Sequence, residues 1–231
     1  MLCRWEQLPE FMRTEEVRPY YERLEKRKIS LLIKRSFDFV MSSVMLLLLS
    51  PVLLLLSLWI RLDSAGPVFY RQERVTQYGR RFRIYKFRTM VQNAERIGSL
   101  VTVDQDVRIT KAGKKLRGCR LDELPQLINI WKGEMTFVGT RPEVPKFLGK
   151  YSKEMYATLL LPAGVTSEAS IEFKDEDKLI AEGMDEGLSA DQVYVERVLV
   201  RKMRLNLEAL KSFSLISEIM LLIKTVLAVI K

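Results

Sequence analysis

The stretch FVMSSVMLLLLSPVLLLLSLWI, residues 39–60, carries no charge in 22 positions, and its reading decides the fold. As a straight helix it would be ~33 Å long, about the thickness of a bilayer core. It is too long for the apolar region of a signal peptide, begins too far into the chain, and is not followed by a small-residue cleavage site. Its hydropathy therefore predicts membrane insertion. Ser50-Pro51 stands at the midpoint, where proline removes one backbone hydrogen bond and clashes with the preceding turn, so a kink or break is expected. Both flanks are basic: Lys26, Arg27, Lys28, Lys34 and Arg35 before, Arg61, Arg71, Arg74, Arg80, Arg81 and Arg83 after. Cationic flanks favour the cytoplasmic side, and both can stay there only if the segment enters and leaves by one face. Each half, ~11 residues or ~17 Å, reaches the middle of a bilayer without crossing it. The expectation is a re-entrant helix broken at Ser50 and Pro51, with an ordinary span and a tolerated proline as the alternative.

Outward from this segment the chain divides in three. Residues 1–36 are charged and look helical in RTEEVRPYYERLEKRKISLLIKR, residues 37–61 are the membrane segment, and residues 62–231 form a cytoplasmic catalytic domain. PVFYRQERVTQYGRRFRIYKFRTM, residues 67–90, alternates apolar and basic positions around Tyr-Gly and predicts a β-hairpin with strands near 67–74 and 81–88. Helix and loop follow to 118, helix over 122–131, a turn at GEMTFVGTRPE, helix near 143–160, and two helical pieces over 170–211 broken around EGMDEGLSA. The last stretch, FSLISEIMLLIKTVLAVIK, is amphipathic and suits either a membrane interface or a core. The class expected is α/β, predominantly helical, with a small hairpin, the broken membrane helix and amphipathic interfacial helices.

With 38 Lys+Arg against 29 Asp+Glu, a formal +9, the chain favours an anionic partner: nucleic acid, an anionic membrane surface or a phosphorylated substrate. The absence of histidine excludes Ser-His-Asp and Cys-His catalysis and any zinc site that needs imidazole. Cys3 and Cys119 are too few for a disulfide framework, and a reducing cytoplasmic setting is expected. Catalysis must come from carboxylates, Lys, Arg, Tyr, Ser or Thr, with or without an oxygen-liganded metal.

RLDELPQL, residues 120–127, sets Asp122 and Glu123 beside Pro125, directly after a stretch holding Lys111, Lys114, Lys115, Arg117 and Arg120. The plain reading is a helix start, with Asp122 as N-cap and Pro125 in the first turn. The other is a reactive pair in a phosphate pocket. A helix N-terminus and nearby cations would keep Asp122 ionised as a nucleophile. Arg141, presented by the glycine turn FVGTRPE, could grip a phosphate in bidentate fashion.

KRSFDF, the leucine run broken by SP, GPVFYRQERV, RFRIYKFRTM and RLDELPQLINIWKGEMTFVGTRPE, in that order, resemble the bacterial sugar transferases, the monotopic phosphoglycosyl transferases. The likeness runs from about residue 33 to 145 and is looser from 162. The resemblance implies a membrane enzyme on the cytoplasmic face of the bacterial inner membrane. It would move a sugar 1-phosphate from a nucleotide sugar, usually a UDP-sugar, to polyprenyl (undecaprenyl) phosphate, releasing UMP. It implies a catalytic Asp122-Glu123 dyad, attack by the aspartate on the β-phosphate to give a covalent phospho-aspartyl intermediate, and a requirement for Mg²⁺, with Asp122 and Glu123 as its candidate ligands. Glu123 could equally be a base or an orienting group. Lys86, Arg88, Arg120 and Arg141 are the candidate phosphate contacts, and Gln72 and Arg74 further candidates of the same kind. Asp191 and Tyr194 match a family Asp-x-x-Tyr and are candidate substrate contacts. Membrane lipids are implied partners, and for the first 32 residues a homodimer contact and an interfacial helix are both open.

The chain departs from the family in LPAGVTSEASIEFKDED, where many members have Arg-Pro-Gly-(Ile/Val)-Thr-Gly: Ala163 replaces the proline, Ser167 the second glycine, and the arginine is absent. The acidic run 172–177 predicts a solvated helix face. Two other classes compete with the enzyme. A membrane-anchored nucleic-acid binder could use the aromatic–basic interleaving of RFRIYKFR for stacking, but gives no reason for the acidic pair. A non-catalytic scaffold predicts that Asp122→Asn changes nothing.

Overall fold

The computed structural model describes residues 2–92, 94, 106–173 and 175–230. In chain order its helices are α1 (Arg18–Glu25), α2 (Lys28–Leu48), α3 (Ser50–Asp63), α4 (Lys111–Gly118), α5 (Gln126–Lys132), α6 (Pro145–Leu148), α7 (Glu168–Glu172), α8 (Glu176–Asp185), α9 (Ala190–Val193), α10 (Val200–Lys211) and α11 (Leu215–Ile230). The strands are β1 (Phe69–Val75), β2 (Arg81–Phe87), β3 (Met135–Val138) and β4 (Ala163–Thr166). The chain is mainly helical, with a two-stranded hairpin as expected.

Helices α2 and α3 meet at Leu49 with a bend of 62°. Pro51 lies in the first turn of α3, where its missing N–H costs no bond within that helix, and Ser50 Oγ donates to the Leu47 carbonyl at 2.8 Å. Among the described residues no single helix is long and apolar enough to cross a membrane, whereas this bent pair passes that test of length and composition together. The helix starts at Lys28, nine residues ahead of the boundary the apolar run suggests, because Ile29, Leu31, Leu32 and Ile33 continue the apolar pattern upstream.

Helix α2 buries three polar residues on its inner face and exposes most of its apolar ones. Lys34, Asp38 and Ser42, four apart on one face, are buried. Lys34 donates to the Val138 carbonyl at 2.9 Å, and Asp38 accepts from Thr136 Oγ1 at 2.6 Å and from the Phe137 N–H at 3.2 Å. Outward, Leu47 is 75% and Leu54 71% exposed, part of an apolar surface that continues along both helices.

The hairpin pairs antiparallel from Phe69↔Phe87 to Val75↔Arg81 and turns through Tyr78 and Gly79, both at positive φ (60° and 75°). A second sheet, β3 paired in parallel with β4, was not expected from the sequence, since four-residue strands are too short to show a period of two. It needs glycine at Gly164: a Cβ there would stand 2.2 Å from the Gly139 backbone. Past Val138 the chain still hugs β4, with the Gly139 N–H donating to the Thr166 carbonyl at 2.9 Å and the Gly164 N–H to the Thr140 carbonyl at 2.8 Å, and Arg141 follows directly.

The helix expected at 143–160 resolves into α6 and a 3-10 turn at Glu154–Leu160. The two pieces expected over 170–211 are α7 and α8, then α9 running through a π-helical turn into α10, separated at Gly187 (φ 90°) and the Ser189 capping box. Residues 2–27 fold back onto the body: Met12, Val17, Tyr20, Tyr21 and Leu24 pack with Val75, Leu160, Leu207, Leu210 and Phe213 in one cluster. Each such side chain contributes about 1.5–3 kcal/mol by burial. Helix α11 is tied down on one face by Glu218 to Lys34 and by Thr225 to Thr166. Its other face, with Ile216, Ile219, Met220, Ile223, Val226 and Leu227, points outward.

Candidate active site

A cleft of about 960 Å³ opens between the hairpin, the segment 117–123, Arg141 and a wall made by α7, α8 and α10. Asp122 and Glu123 lie in a 3-10 turn, Leu121–Glu123, that precedes α5. The residue before it, Arg120, adopts the left-handed conformation (φ 53°, ψ 21°), which costs a non-glycine about 1–2 kcal/mol. This reversal at the mouth of the cleft turns the dyad inward.

Asp122 is not a helix cap. Pro125 occupies the N-cap of α5, and no side chain caps either the 3-10 turn or α5. The backbone is already helical at Leu124, so the extended cap geometry that would let Asp122 accept from the following N–H groups is absent. Helix α5 has seven residues and begins beyond the dyad, so the positive field around Asp122 comes from side chains.

Those side chains converge on its neighbour. Lys86, from β2, reaches Glu123 Oε1 at 3.0 Å, and Arg141 makes a two-pronged pair with both Glu123 oxygens, one of them at 3.3 Å. The Glu123 side chain is 12% exposed. Burial alone would push its carboxyl up, but Arg141 and Lys86 hold it well below the usual carboxylate range. Asp122 goes the other way: burial, with the negative charge of Glu123, raises its carboxyl above the ordinary value against the weaker pull of Lys86, Arg117 and Arg141. No hydrogen bond or ion pair of the Asp122 carboxylate forms among the described residues. Lys86 and Arg141, rather than the cations next to Asp122 in sequence, form the ion pairs here, and they form them with Glu123. Asp122 is left a more basic, partly desolvated carboxylate facing the cleft, which suits a nucleophile. Glu123 is an orienting group that fixes Lys86 and Arg141.

Arg88 is only 5% exposed. Its Nη2 donates to the Ser64 carbonyl at 2.6 Å, to Ser64 Oγ at 2.9 Å and to the Ile60 carbonyl at 3.3 Å, which fastens the end of α3 to the cleft floor. Its Nε and Nη1 are buried with no hydrogen-bond partner. Gln72 and Arg74 brace the Arg141 loop: Arg74 donates to Gln72 Oε1 at 2.6 and 3.0 Å and to the Pro142 carbonyl at 3.1 Å. The aromatic–basic interleaving of the second strand is used internally, with Phe82 and Phe87 buried and the Tyr85 ring under Arg71 at 4.0 Å and Lys132 at 5.1 Å.

The model of the bacterial sugar transferase family matches residues 29–231. This chain belongs to that family. It is 41% identical over 143 residues to the UDP-N-acetylgalactosamine-undecaprenyl-phosphate N-acetylgalactosaminephosphotransferase of Aeromonas hydrophila, covering 60% of this chain and 34% of the relative. It is 34% identical over 171 residues to the UDP-glucose:undecaprenyl-phosphate glucose-1-phosphate transferase of Escherichia coli (strain K12), covering 72% and 37%. To the exopolysaccharide production protein ExoY of Rhizobium meliloti (strain 1021) it is 36% identical over 155 residues, covering 61% and 69%. The matched part of the chain spans about a third of the length of the first two relatives.

In this bacterial sugar transferase, eight of the candidate site residues line one cleft: Gln72, Arg74, Lys86, Arg88, Arg120, Asp122, Glu123 and Arg141. Asp191 and Tyr194 do not. Asp191 pairs with Lys146 at 2.8 Å on the surface, and the Tyr194 hydroxyl donates to Glu143 at 2.6 Å behind the cleft wall. The end of α9 leaves Asp191 outward, while Tyr194, the first residue of the π-helical turn, packs into the core. The acidic run is not simply a solvated face either: Glu176 lines the cleft and pairs with Lys202 of α10. The signal for Lys202 is in the sequence, since it shares the buried face of α10 with Met203, Asn206, Leu207 and Leu210.

Among the described residues no group of three or more His, Cys, Asp or Glu could hold a metal by itself. Mg²⁺ does not need one, because it commonly takes one or two carboxylates together with substrate phosphates. Asp122 offers that carboxylate without a competing ion pair among the described residues, whereas Glu123 already holds Lys86 and Arg141, with Oε2 taking one contact at 3.3 Å.

Proposed function

We propose that this chain transfers a sugar 1-phosphate from a nucleotide sugar, a UDP-sugar, to polyprenyl phosphate, and so starts a lipid-linked glycan at the cytoplasmic face of the bacterial inner membrane. The observation that carries the reading is Asp122: a half-buried carboxylate with a raised affinity for protons, open to a cleft rich in cations, whose acidic neighbour is held by Lys86 and Arg141. An Asp122 oxygen attacks the β-phosphorus of the donor. The bond from that phosphorus to the bridging oxygen breaks, and UMP leaves with the electron pair. The lipid phosphate oxygen then attacks the sugar-phospho-aspartyl phosphorus, and the Asp122 carboxylate departs unchanged. A lipid phosphate is ionised at neutral pH, so the second step needs no strong general base. Arg141 and Lys86, held by Glu123, offset the repulsion between carboxylate and diphosphate. Mg²⁺, held by Asp122 and the donor phosphates, would supply further charge neutralisation.

The bent α2–α3 pair, apolar on its outer surface and flanked by cations, supports a re-entrant seat in the cytoplasmic leaflet, with α11 lying along the interface. Arg88 joins the end of α3 to the cleft, so a lipid-borne phosphate arriving beside the hairpin meets the site directly.

The test is UMP release from purified protein with Mg²⁺ and a panel of UDP-sugars, with and without undecaprenyl phosphate. The expected result is one UMP per enzyme without lipid, turnover with it, and neither with Asp122→Asn. Turnover that survives Asp122→Asn sinks the mechanism.

A further inference from the structure

The cleft wall that faces the phosphate-binding cations contains a charge of the wrong sign for phosphate. Glu176, the first residue of α8, lines the cleft beside Ser170 and Phe173, and its carboxylate is held by the Lys202 ammonium. Lys202 is buried on the inner face of α10, with its ammonium 5.5 Å from the centroid of the Tyr194 ring. Lysine is seldom buried in a packed helix face, and two apolar residues would serve stability there at least as well. The Glu176 side chain is not sealed off: it is 25% exposed. Both residues line the cleft, Lys202 from the buried face of α10 and Glu176 from the start of α8, with Glu176 the more exposed of the two.

Glu176 and Lys202 together carry no net charge, so this wall gives a diphosphate no pull to match that of Lys86 and Arg141, and the part of a donor that passes over it is the neutral, hydroxyl-bearing part. A carboxylate held by one ammonium keeps lone pairs for two further donors, and vicinal hydroxyls supply two O–H groups at the matching spacing. Phe173 adds an apolar surface to the same wall, the usual companion of a few placed polar groups in a small-molecule site.

We infer that Glu176, positioned by Lys202, accepts hydrogen bonds from vicinal hydroxyls of the nucleotide-sugar donor and sets which donor the cleft takes. The inference rests on the reading of the protein as a sugar-phosphate transferase. Two parts of a donor carry such hydroxyls, the ribose and the transferred sugar.

The test measures kcat and KM of the full chain with undecaprenyl phosphate and Mg²⁺ on UDP-glucose, UDP-galactose and their two N-acetylhexosamine counterparts. The 2′-deoxy and 3′-deoxyribose forms of the best donor complete the panel. Glu176→Gln is expected to lower kcat/KM on the best donor about 10- to 100-fold, mainly through KM, as removal of a charged hydrogen-bond partner does. It should lose little on donors lacking the recognised hydroxyl, so a wild-type preference collapses. Collapse among the hexoses assigns the transferred sugar, and collapse between ribose and deoxyribose assigns the nucleotide. Glu176→Asp, which keeps the charge and withdraws it by one methylene, is read in the same way should Glu176→Gln fail to fold. Lys202→Arg should keep the wild-type order of donors. A folded Glu176→Gln protein that keeps every wild-type ratio overturns the inference. Wild-type protein without turnover on any donor overturns instead the transferase reading beneath it.

Discussion

Lys86 Nζ lies 3.0 Å from Glu123 Oε1, the same oxygen that the Arg141 guanidinium grips. One carboxylate thus holds two cations together in a largely buried place, and Glu123→Gln leaves both cations facing each other with no anion between them. Breaking a buried ion pair from one side costs 3–5 kcal/mol when burial is complete. With Arg141 33% exposed, the expected loss is about 2–3 kcal/mol, measured by denaturant unfolding at neutral pH. The pH dependence has a sign. The Glu123 carboxyl is depressed in the folded protein, so its contribution is full above the ordinary glutamate value of 4.5 and is lost as pH falls from there through the folded value. The gap between wild type and Glu123→Gln should therefore narrow on acidification. A gap that widens below pH 4.5 contradicts the pairing.

Asp122 carries the opposite sign. A carboxyl raised in the folded state above its ordinary 3.8 destabilises the fold once pH has risen through the folded value, since ionisation is then more costly folded than unfolded. Asp122→Asn removes the charge, so it should melt above wild type at pH 7 while losing at least about 10³-fold in turnover. In the wild type the acid limb of kcat/KM should fall at a pH above 3.8. An Asp122→Asn protein that melts below wild type counts against a desolvated, strained nucleophile.

Much of this architecture can be read from local chemistry. The hairpin shows in seven-residue strands of alternating apolar and basic positions around Tyr78-Gly79, and the break at Ser50-Pro51 follows from one missing N–H. The acidic pair stands out because it interrupts a cationic stretch. What could not be read is what other parts of the chain do to it. Of the cations near Asp122 in sequence only Arg117 pulls on its charge; Lys86, 37 residues upstream of Glu123, and Arg141, 18 downstream, act on it as well and are fixed by Glu123. Strands β3 and β4 are too short for a periodic signal and depend on two glycines meeting across the sheet. Glu176 and Lys202 belong to different helices, so neither the acidic run nor the basic helix shows the pair. Asp191 and Tyr194 look like a site motif because the sequence does not show that the π-helical turn after α9 packs Tyr194 away from the cleft.

Lys34 makes a second testable link, from the first helix of the bent pair to the last helix of the chain. Its ammonium donates to Glu218 at 2.6 Å and to the Val138 carbonyl at 2.9 Å, with both charged side chains largely buried. Lys34→Met strands Glu218 and one carbonyl, and should cost about 3–5 kcal/mol in unfolding measured in detergent micelles. Adding Glu218→Gln should restore part of that loss, because the remaining group is then uncharged. A double variant no more stable than Lys34→Met rules out the pair as the cause.

The bend at Pro51 gives a test of membrane topology. With the bend removed, residues 28–63 would form a helix of roughly 54 Å, long enough to cross a bilayer with its basic flanks on opposite faces. With it, the proposed re-entrant seat would keep both flanks on one side. In a Cys3→Ser background, Lys26→Cys should resist a membrane-impermeant maleimide in intact cells and react after lysis, as Cys119 should. Ser50→Ala with Pro51→Leu restores the missing N–H and removes the hydroxyl that bonds the Leu47 carbonyl. In that variant a fraction of Lys26→Cys should become reactive from outside. The fraction should be partial, because Tyr20 to Glu154 at 2.5 Å and the packing of Leu24 hold residues 2–27 to the body and compete with translocation. Labelling of Lys26→Cys in intact cells with Ser50 and Pro51 in place would mean that the chain spans the bilayer, and that the 62° bend is a kink within a crossing helix.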